Sequence, residues 1–395
     1  MNTTQPQLIM QRWHLVQHEL LPELKAQVGP LTPKLEKVIH TLEWIRIEEL
    51  TEVSWCGVER PPFERAQLAN AFVVKAVLGL TTTVGLIERL MIDRALRRIC
   101  GFPLHKTLPS EATFSRAFDE FAEEGLGQRV HEALIKKHLG DQLIGHLNRD
   151  GTAIEARERS SRKEAPAAEV AATAQQPSLL PTADTPAETR VSETPAPARK
   201  RGRPRRGEAR PAAKASPIKR QRGQTLAQML EEIPTAYDRG TKCNAQGYKN
   251  SWTGYTLHLD TADCGVPIAA LLSSASMHDS LAAIPLSLIS AGRVTNLYDL
   301  MDAAYCSADL REHSKSLGHV PLIDHNPRRG EKIEFSPAEA IRYNERSAAE
   351  RSNARLKDEF GGQTIPVKGD TKVMAHLRGC ENIPSSPPAS MARPV

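Results

Sequence analysis

GYTLHLDTADCGVPIAALLSSAS, residues 254–276, is the stretch on which the fold turns. Its first half alternates apolar and polar residues, its second half runs apolar, and Cys264-Gly265 sits between them as a turn. Two strands joined by so short a turn must be antiparallel. Strand and helix patterns alternate on either side of this hairpin. LIGHLNRDGTAIEA (143–156) reads as a strand, LIGHLNRD, that runs into Gly151. SLAAIPLSLIS (280–290) reads as a helix and VTNLYDLMDAAY (294–305) as a strand. SADLREHSKSLG (307–318) is a short helix ended by Gly318, VPLIDH (320–325) a buried strand, and EAIRYNERSAAERSNARLKDEF (339–360) one long helix. Such alternation predicts an α/β domain, and the hairpin makes its sheet mixed.

Upstream, residues 1–140 read as helical. LTPKLEKVIHTLEWIRIEEL (31–50) has helical apolar spacing with Pro33 near its start. In PSEATFSRAFDEFAEEGLGQRVHEALIKKHLG (109–140), Ser110 is placed to cap a helix, and Phe114, Phe118 and Phe121 share a face. Short helices joined by brief turns make an all-α bundle. A purely structural bundle and a DNA-binding one both fit these residues.

Composition narrows the class. The net charge is +5 and 40% of residues are hydrophobic. The six cysteines show no C-x-x-C pair, which argues against a zinc finger or a disulfide framework. The first twenty residues lack a signal-peptide pattern, and no stretch reaches the ~20 apolar residues of a membrane span. The expected location is the cytoplasm, alongside DNA. The charge is clustered: Arg199, Lys200, Arg201, Arg203, Arg205, Arg206, Arg210, Lys214, Lys219, Arg220 and Arg222 face a single acid, Glu208. This run ends a low-complexity Ala/Pro/Arg-rich stretch, read as a disordered insertion over residues 160–223. Such a run attracts a phosphate backbone. Its core, Arg201-Gly202-Arg203-Pro204-Arg205, resembles an AT-hook, whose Arg-Gly-Arg-Pro lies in an A·T-rich minor groove. Generic electrostatic tethering is the stronger of the two explanations.

Three acids stand out. Asp150 and Asp302 each end a strand, and Glu350 lies within the long helix. Strand ends in an α/β sheet converge on one edge, where ligands bind. Three carboxylates gathered there repel unless a cation screens them, and Mg²⁺ suits an all-oxygen site. Each acid also has an ordinary explanation, as a turn, a helix cap or a surface ion-pair partner. Asp263 and Asp299 read as that ordinary kind. His258 and the His278-Asp279 pair could serve as acid and base, but Asp279 fits a helix cap as well.

The long helix carries Tyr343, Arg346, Glu350 and Lys357, a Tyr-x2-Arg-x3-Glu-x6-Lys pattern. It resembles the signature of the DDE transposases encoded by bacterial insertion sequences. Met301-Asp302-Ala303-Ala304-Tyr305 resembles the block around that family's second Asp, and Asn148-Arg149-Asp150-Gly151-Thr152 that of the first. Residues 65–102 and 109–121 are similar to its N-terminal helical domain. The resemblance implies a ribonuclease H-like catalytic domain, here residues 141–159 and 224–378. It implies Asp150, Asp302 and Glu350 as catalytic ligands of two Mg²⁺ (or Mn²⁺) ions. Lys357, about 700° around the helix from Glu350, would hold a DNA phosphate. Arg346 would pair with a phosphate, and Tyr343 would stack on a base or touch the backbone. Implied partners are double-stranded DNA, as element ends and target, and further copies of the chain.

After KVMAHLRG the chain reads CENIPSSPPASMARPV (380–395), where the family continues with an apolar helix. Residues 379–395 are therefore expected to form a disordered, atypical tail. That leaves a rival reading, a remnant that binds DNA without catalysis and inhibits an intact relative. A third is a metal nuclease that does not join strands.

Overall fold

The computed structural model describes residues 32–51, 63–158, 216–243, 247–327, 331–359 and 361–381. Arg201, Arg203 and Arg205, and the chain beyond Glu381, lie outside the described residues.

Among the described residues, six α-helices precede the sheet: α1 (Pro33–Ile45), α2 (Arg65–Val77), α3 (Thr83–Ile92), α4 (Arg94–Ile99), α5 (Glu111–Glu123) and α6 (Leu126–Leu139). Helix α1 starts where Thr32 accepts from the Leu35 amide, with Pro33 in the first turn, where its missing N–H costs nothing. It buries Leu35, Val38, Ile39, Leu42 and Ile45, the recurrence of one helical face. Ser110 caps α5 by accepting from the Thr113 amide. Phe114, Phe118 and Phe121 surround Phe72 of α2, with ring centroids 5.8, 5.3 and 6.3 Å away. Aromatic contacts of this kind contribute about 0.5–1.5 kcal/mol each beyond simple burial.

The sheet contains β1 (Leu143–Glu155), β2 (Asp238–Cys243), β3 (Lys249–Ala262), β4 (Pro267–Ser274), β5 (Thr295–Met301) and β6 (Val320–Ile323). Its order is β2-β3-β1-β5-β6, and β4 pairs with β3 beyond the stretch that β2 covers. The hairpin over residues 254–276 forms as expected, with β3 and β4 antiparallel. Strands β1, β5 and β6 run parallel, while β1 and β3 are antiparallel. This is the mixed sheet of a ribonuclease H-like domain. Among the described residues it is flanked by α7 (Pro217–Gln221), α8 (Leu226–Glu232), α9 (Ala283–Ala291), α10 (Ala308–Ser316), α11 (Pro337–Tyr343), α12 (Ser347–Asp358) and α13 (Asp370–Glu381).

Four expectations change. Asp150 does not end a strand. Pairing of β1 with β5 stops at Arg149↔Met301, but its pairing with β3 continues to Glu155↔Gly254, so Asp150 lies mid-strand where one neighbour has dropped away. The long helix is two helices, α11 and α12, joined by a tighter 3₁₀ turn at Asn344–Arg346. Helix α7 forms within the stretch read as insertion, so regular structure returns before residue 224. Helix α13 continues to Glu381, past the Arg378 boundary.

Helix α13 joins the two halves. Arg378 is buried and donates from Nη2 to the Ala270 carbonyl of β4 at 2.8 Å. Lys372 pairs with Asp119 of α5 at 2.7 Å. Gly127 of α6 leaves room, since a Cβ there would stand 3.0 Å from the Arg378 Cβ. Among the described residues, no helix is long and apolar enough to cross a membrane.

Candidate active site

One guanidinium gathers the three acids. Arg346 Nη2 lies 3.2 Å from Asp150 Oδ1 and 3.9 Å from Asp302 Oδ2, and Nη1 lies 3.2 Å from Glu350 Oε1. Each acid arrives on a different element. Asp150 comes from β1, at the sheet's centre. Asp302 follows β5 and opens a 3₁₀ turn, with Oδ1 accepting from the Ala304 amide at 2.9 Å. Its local conformation is thus the ordinary capping one, in addition to any other role. Glu350 projects from the first turn of α12 and remains 66% exposed at its side chain.

Burial lifts the Asp150 carboxyl above the ordinary carboxylate range; Arg346 opposes this and the nearby Asp302 adds to it. Burial also raises Asp302, again against Arg346. Burial disfavours the Arg346 charge, but Asp150, Tyr343, Asp302 and Glu350 together raise it further above the ordinary range. Asp150 and Asp302 are therefore partly desolvated carboxylates held around an internal cation, with Glu350 reaching it from the exposed side. Among the described residues, no three His, Cys, Asp or Glu side chains stand close enough together to hold a metal as arranged. The guanidinium between the acids and the outward Glu350 account for that spacing. The donor set itself, all carboxylate oxygen and already drawn to one cation, has the chemistry of a hard divalent ion.

The other signature residues divide. Tyr343 donates to the Met301 carbonyl at 3.2 Å, tying α11 to the end of β5, and its ring lies 4.7 Å from that of Phe335. Burial pushes its hydroxyl up to about 12. Arg346 faces the acids rather than open solvent. Lys357 is half-buried, and burial pushes its ammonium below the ordinary lysine range while Glu155 pulls the other way.

Several contributors were not apparent from sequence. Asn353, one turn past Glu350, donates to Asp150 Oδ2 at 2.9 Å. Arg149 is buried and grips Asp260 of β3 with two bonds, Nε to Oδ1 at 2.8 Å and Nη2 to Oδ2 at 2.7 Å. Ser290 donates to the same carboxylate at 2.7 Å. This clamp fixes β1 next to Asp150. A charged pair at buried strand positions was the available signal. Asp279 does not cap the turn it begins; His278 does, through Nδ1 accepting from the Ser280 amide. Asp279 instead pairs with Lys242 of β2 at 2.8 Å. His258 is fully buried, with Nε2 2.9 Å from Ser273 Oγ. Asp263 holds His146, and Asp299 holds Asn296 and His319, both as structural partners.

Two families match the chain. One, described as "Transposase domain (DUF772)", covers residues 22–120, and the other, described as "Transposase DDE domain", covers residues 215–380. No curated protein and no solved structure matches. The first match takes in the described helices α1 to α4 and most of α5; the second contains Asp302, Arg346 and Glu350. Asp150 falls between them in sequence, on β1, which pairs with β3 and β5 inside the second match. A helical transposase domain followed by a mixed-sheet DDE domain leaves one assignment: the chain belongs to the DDE transposases of insertion sequences.

Proposed function

We propose that the chain binds the ends of an insertion sequence, cleaves a phosphodiester there and transfers the resulting 3′-OH strand to target DNA. Asp150, Asp302 and Glu350 hold two Mg²⁺ or Mn²⁺ ions in this reading. The observation that carries it is the convergence of all three carboxylates on the Arg346 guanidinium. A site that sets one cation against two partly desolvated acids and an exposed third already favours positive charge at that place.

Bound divalent ions would supply a more acidic attacking water and neutralise charge on the phosphodiester. The chain's own groups do the remaining work. Asn353 orients the Asp150 carboxylate, and the Arg149–Asp260 clamp keeps β1 from shifting. Tyr343 anchors the signature helix to the strand that delivers Asp302. Arg346 exchanges its carboxylate partners for a DNA phosphate. Lys357, whose ammonium is partly desolvated, holds another. Water attacks and the 3′ oxygen leaves; the freed 3′-OH then attacks a target phosphodiester and expels its 3′ oxygen. Each step exchanges one P–O bond for another, so positioning and charge neutralisation suffice. The helical half, residues 1–140, and the basic run with Arg201, Arg203 and Arg205 are assigned to DNA contact.

The test is a strand-transfer assay with element-end DNA and Mg²⁺. Wild type cleaves and joins, and Asp302→Ala and Glu350→Ala do neither. Joining that persists in Asp302→Ala removes the site assignment. Binding without cleavage in the wild type favours the non-catalytic remnant, and cleavage without joining the nuclease.

A further inference from the structure

Beside the three acids lies a second polar cluster that the DDE signature does not include. Lys242 reaches from β2 to place its ammonium 2.8 Å from Asp279 Oδ2 and 3.0 Å from the carbonyl of Gly151, the residue after Asp150. An ammonium has three donors, so two are used and one is left for a ligand. The Lys242 side chain is 43% exposed although its partner Asp279 is buried.

Asp279 has two neighbours that could offset its charge. His258 Nδ1 stands 4.0 Å from Asp279 Oδ1 and has no hydrogen-bond partner, though it is fully buried. Burial pushes that ring down to about 4, so it is neutral at neutral pH. Lys242 is therefore the counter-ion. The approach of Asp279 depends on Gly151, because a Cβ there would lie 3.1 Å from both Asp279 Oδ1 and His258 Nδ1. The glycine after Asp150 thus makes room for the carboxylate that holds Lys242. The short turn Asp279–Leu281 also packs against the Ala303–Tyr305 turn that follows Asp302. Asp279 is wedged between the supports of the first and second acids.

We infer that Lys242 is a phosphate-binding residue of the strand-cleavage site and that Asp279 is its positioning residue. The assignment rests on the proposed transposase reading. Burying a carboxylate to fix a half-exposed lysine is a costly way to gain stability alone, since exposed pairs contribute little. It is an effective way to fix where a positive charge stands. Lys242 lies close enough to Lys357 to disfavour the Lys357 charge, and a phosphodiester bound beside both would relieve that.

The experiment uses the full chain with a short generic DNA duplex in EDTA, so that binding is read without cleavage. Each lost phosphate contact lowers the slope of log K against log salt by about 0.9. Lys242→Gln is expected to show that drop and Lys242→Arg to keep the wild-type slope. Asp279→Asn is expected to show the same drop, and the double variant no further one. An unchanged slope in Lys242→Gln overturns the assignment, whatever happens to its melting temperature. If Asp279→Asn fails to fold, the Lys242→Gln and Lys242→Arg pair decides alone. Asp302→Ala provides the separation: retained cleavage there removes the triad reading and leaves the Lys242 slope as measured.

Discussion

Arg346 on the signature turn donates to Asp150 across 3.2 Å, from 196 residues further along the chain. That bond makes the guanidinium the cation of a site whose acids are otherwise mutually repulsive. Replacing Arg346 by Gln should destabilise the metal-free protein by roughly 1–3 kcal/mol, because partly buried carboxylates lose their charged partner. Mg²⁺ should then raise the melting temperature of Arg346→Gln more than that of wild type. Equal shifts in thermal melts with Mg²⁺ and with EDTA would contradict the exchange of arginine for metal.

Asp150 behaves differently, because burial outweighs Arg346 and its folded-state pKa is raised. The sign follows directly. Between the unfolded value and the higher folded one, the native state binds more protons, so stability falls as pH rises through that window. Asp150→Asn mimics the protonated form. In EDTA at neutral pH it should be at least as stable as wild type, yet lose its stabilisation by Mg²⁺ and its strand cleavage. A clear drop in stability in EDTA would show that the Arg346 bond outweighs desolvation.

The Arg149–Asp260 pair is buried on both sides. Arg149→Met leaves a buried carboxylate unpaired and should cost about 3–5 kcal/mol in urea denaturation. Arg149→Met combined with Asp260→Leu should recover much of that loss. If the single variant costs under 1 kcal/mol, the clamp is not what holds β1 in place.

Gly151→Ala places a methyl 3.1 Å from both Asp279 and His258. Overpacking of this kind costs about 1–3 kcal/mol. Cleavage should fall while overall secondary structure, read by circular dichroism, stays native. Wild-type stability and activity together would mean that Asp279 can retreat freely.

The elements were legible wherever the pattern was local. The hairpin was visible because apolar alternation and a turn glycine suffice to specify it, and Gly265 does adopt φ +77°. The extent of β1 was not, because its last residues are strand only through pairing with β3, which lies far along the chain. The break between α11 and α12 was hidden for a similar reason. Helical spacing runs through Asn344–Arg346, while the Tyr343 bond to Met301 is tertiary. The resemblance to the DDE signature pointed to the acids and Arg346, which the fold sets around one guanidinium. It could not reveal Lys242, Gly151 and Asp279 as neighbours, since no fixed interval links them. For Asp279 the sequence leaves a cap and an acid/base role open, because its place at the start of a turn suits a cap, and only the fold brings Lys242 to it.

The position of β1 also has a consequence for how the protein is made. Its partners β3 and β5 begin at Lys249 and Thr295, on the far side of the long stretch that follows Glu155. At ribosomal rates of about 5–20 residues per second, the strand carrying Asp150 waits on the order of ten seconds for either neighbour. The helical half can pack during that time from local contacts, but the sheet cannot. Any factor that shields nascent apolar strands should therefore govern the yield of this chain through β1, and an abbreviated stretch between β1 and β3 should shorten the wait.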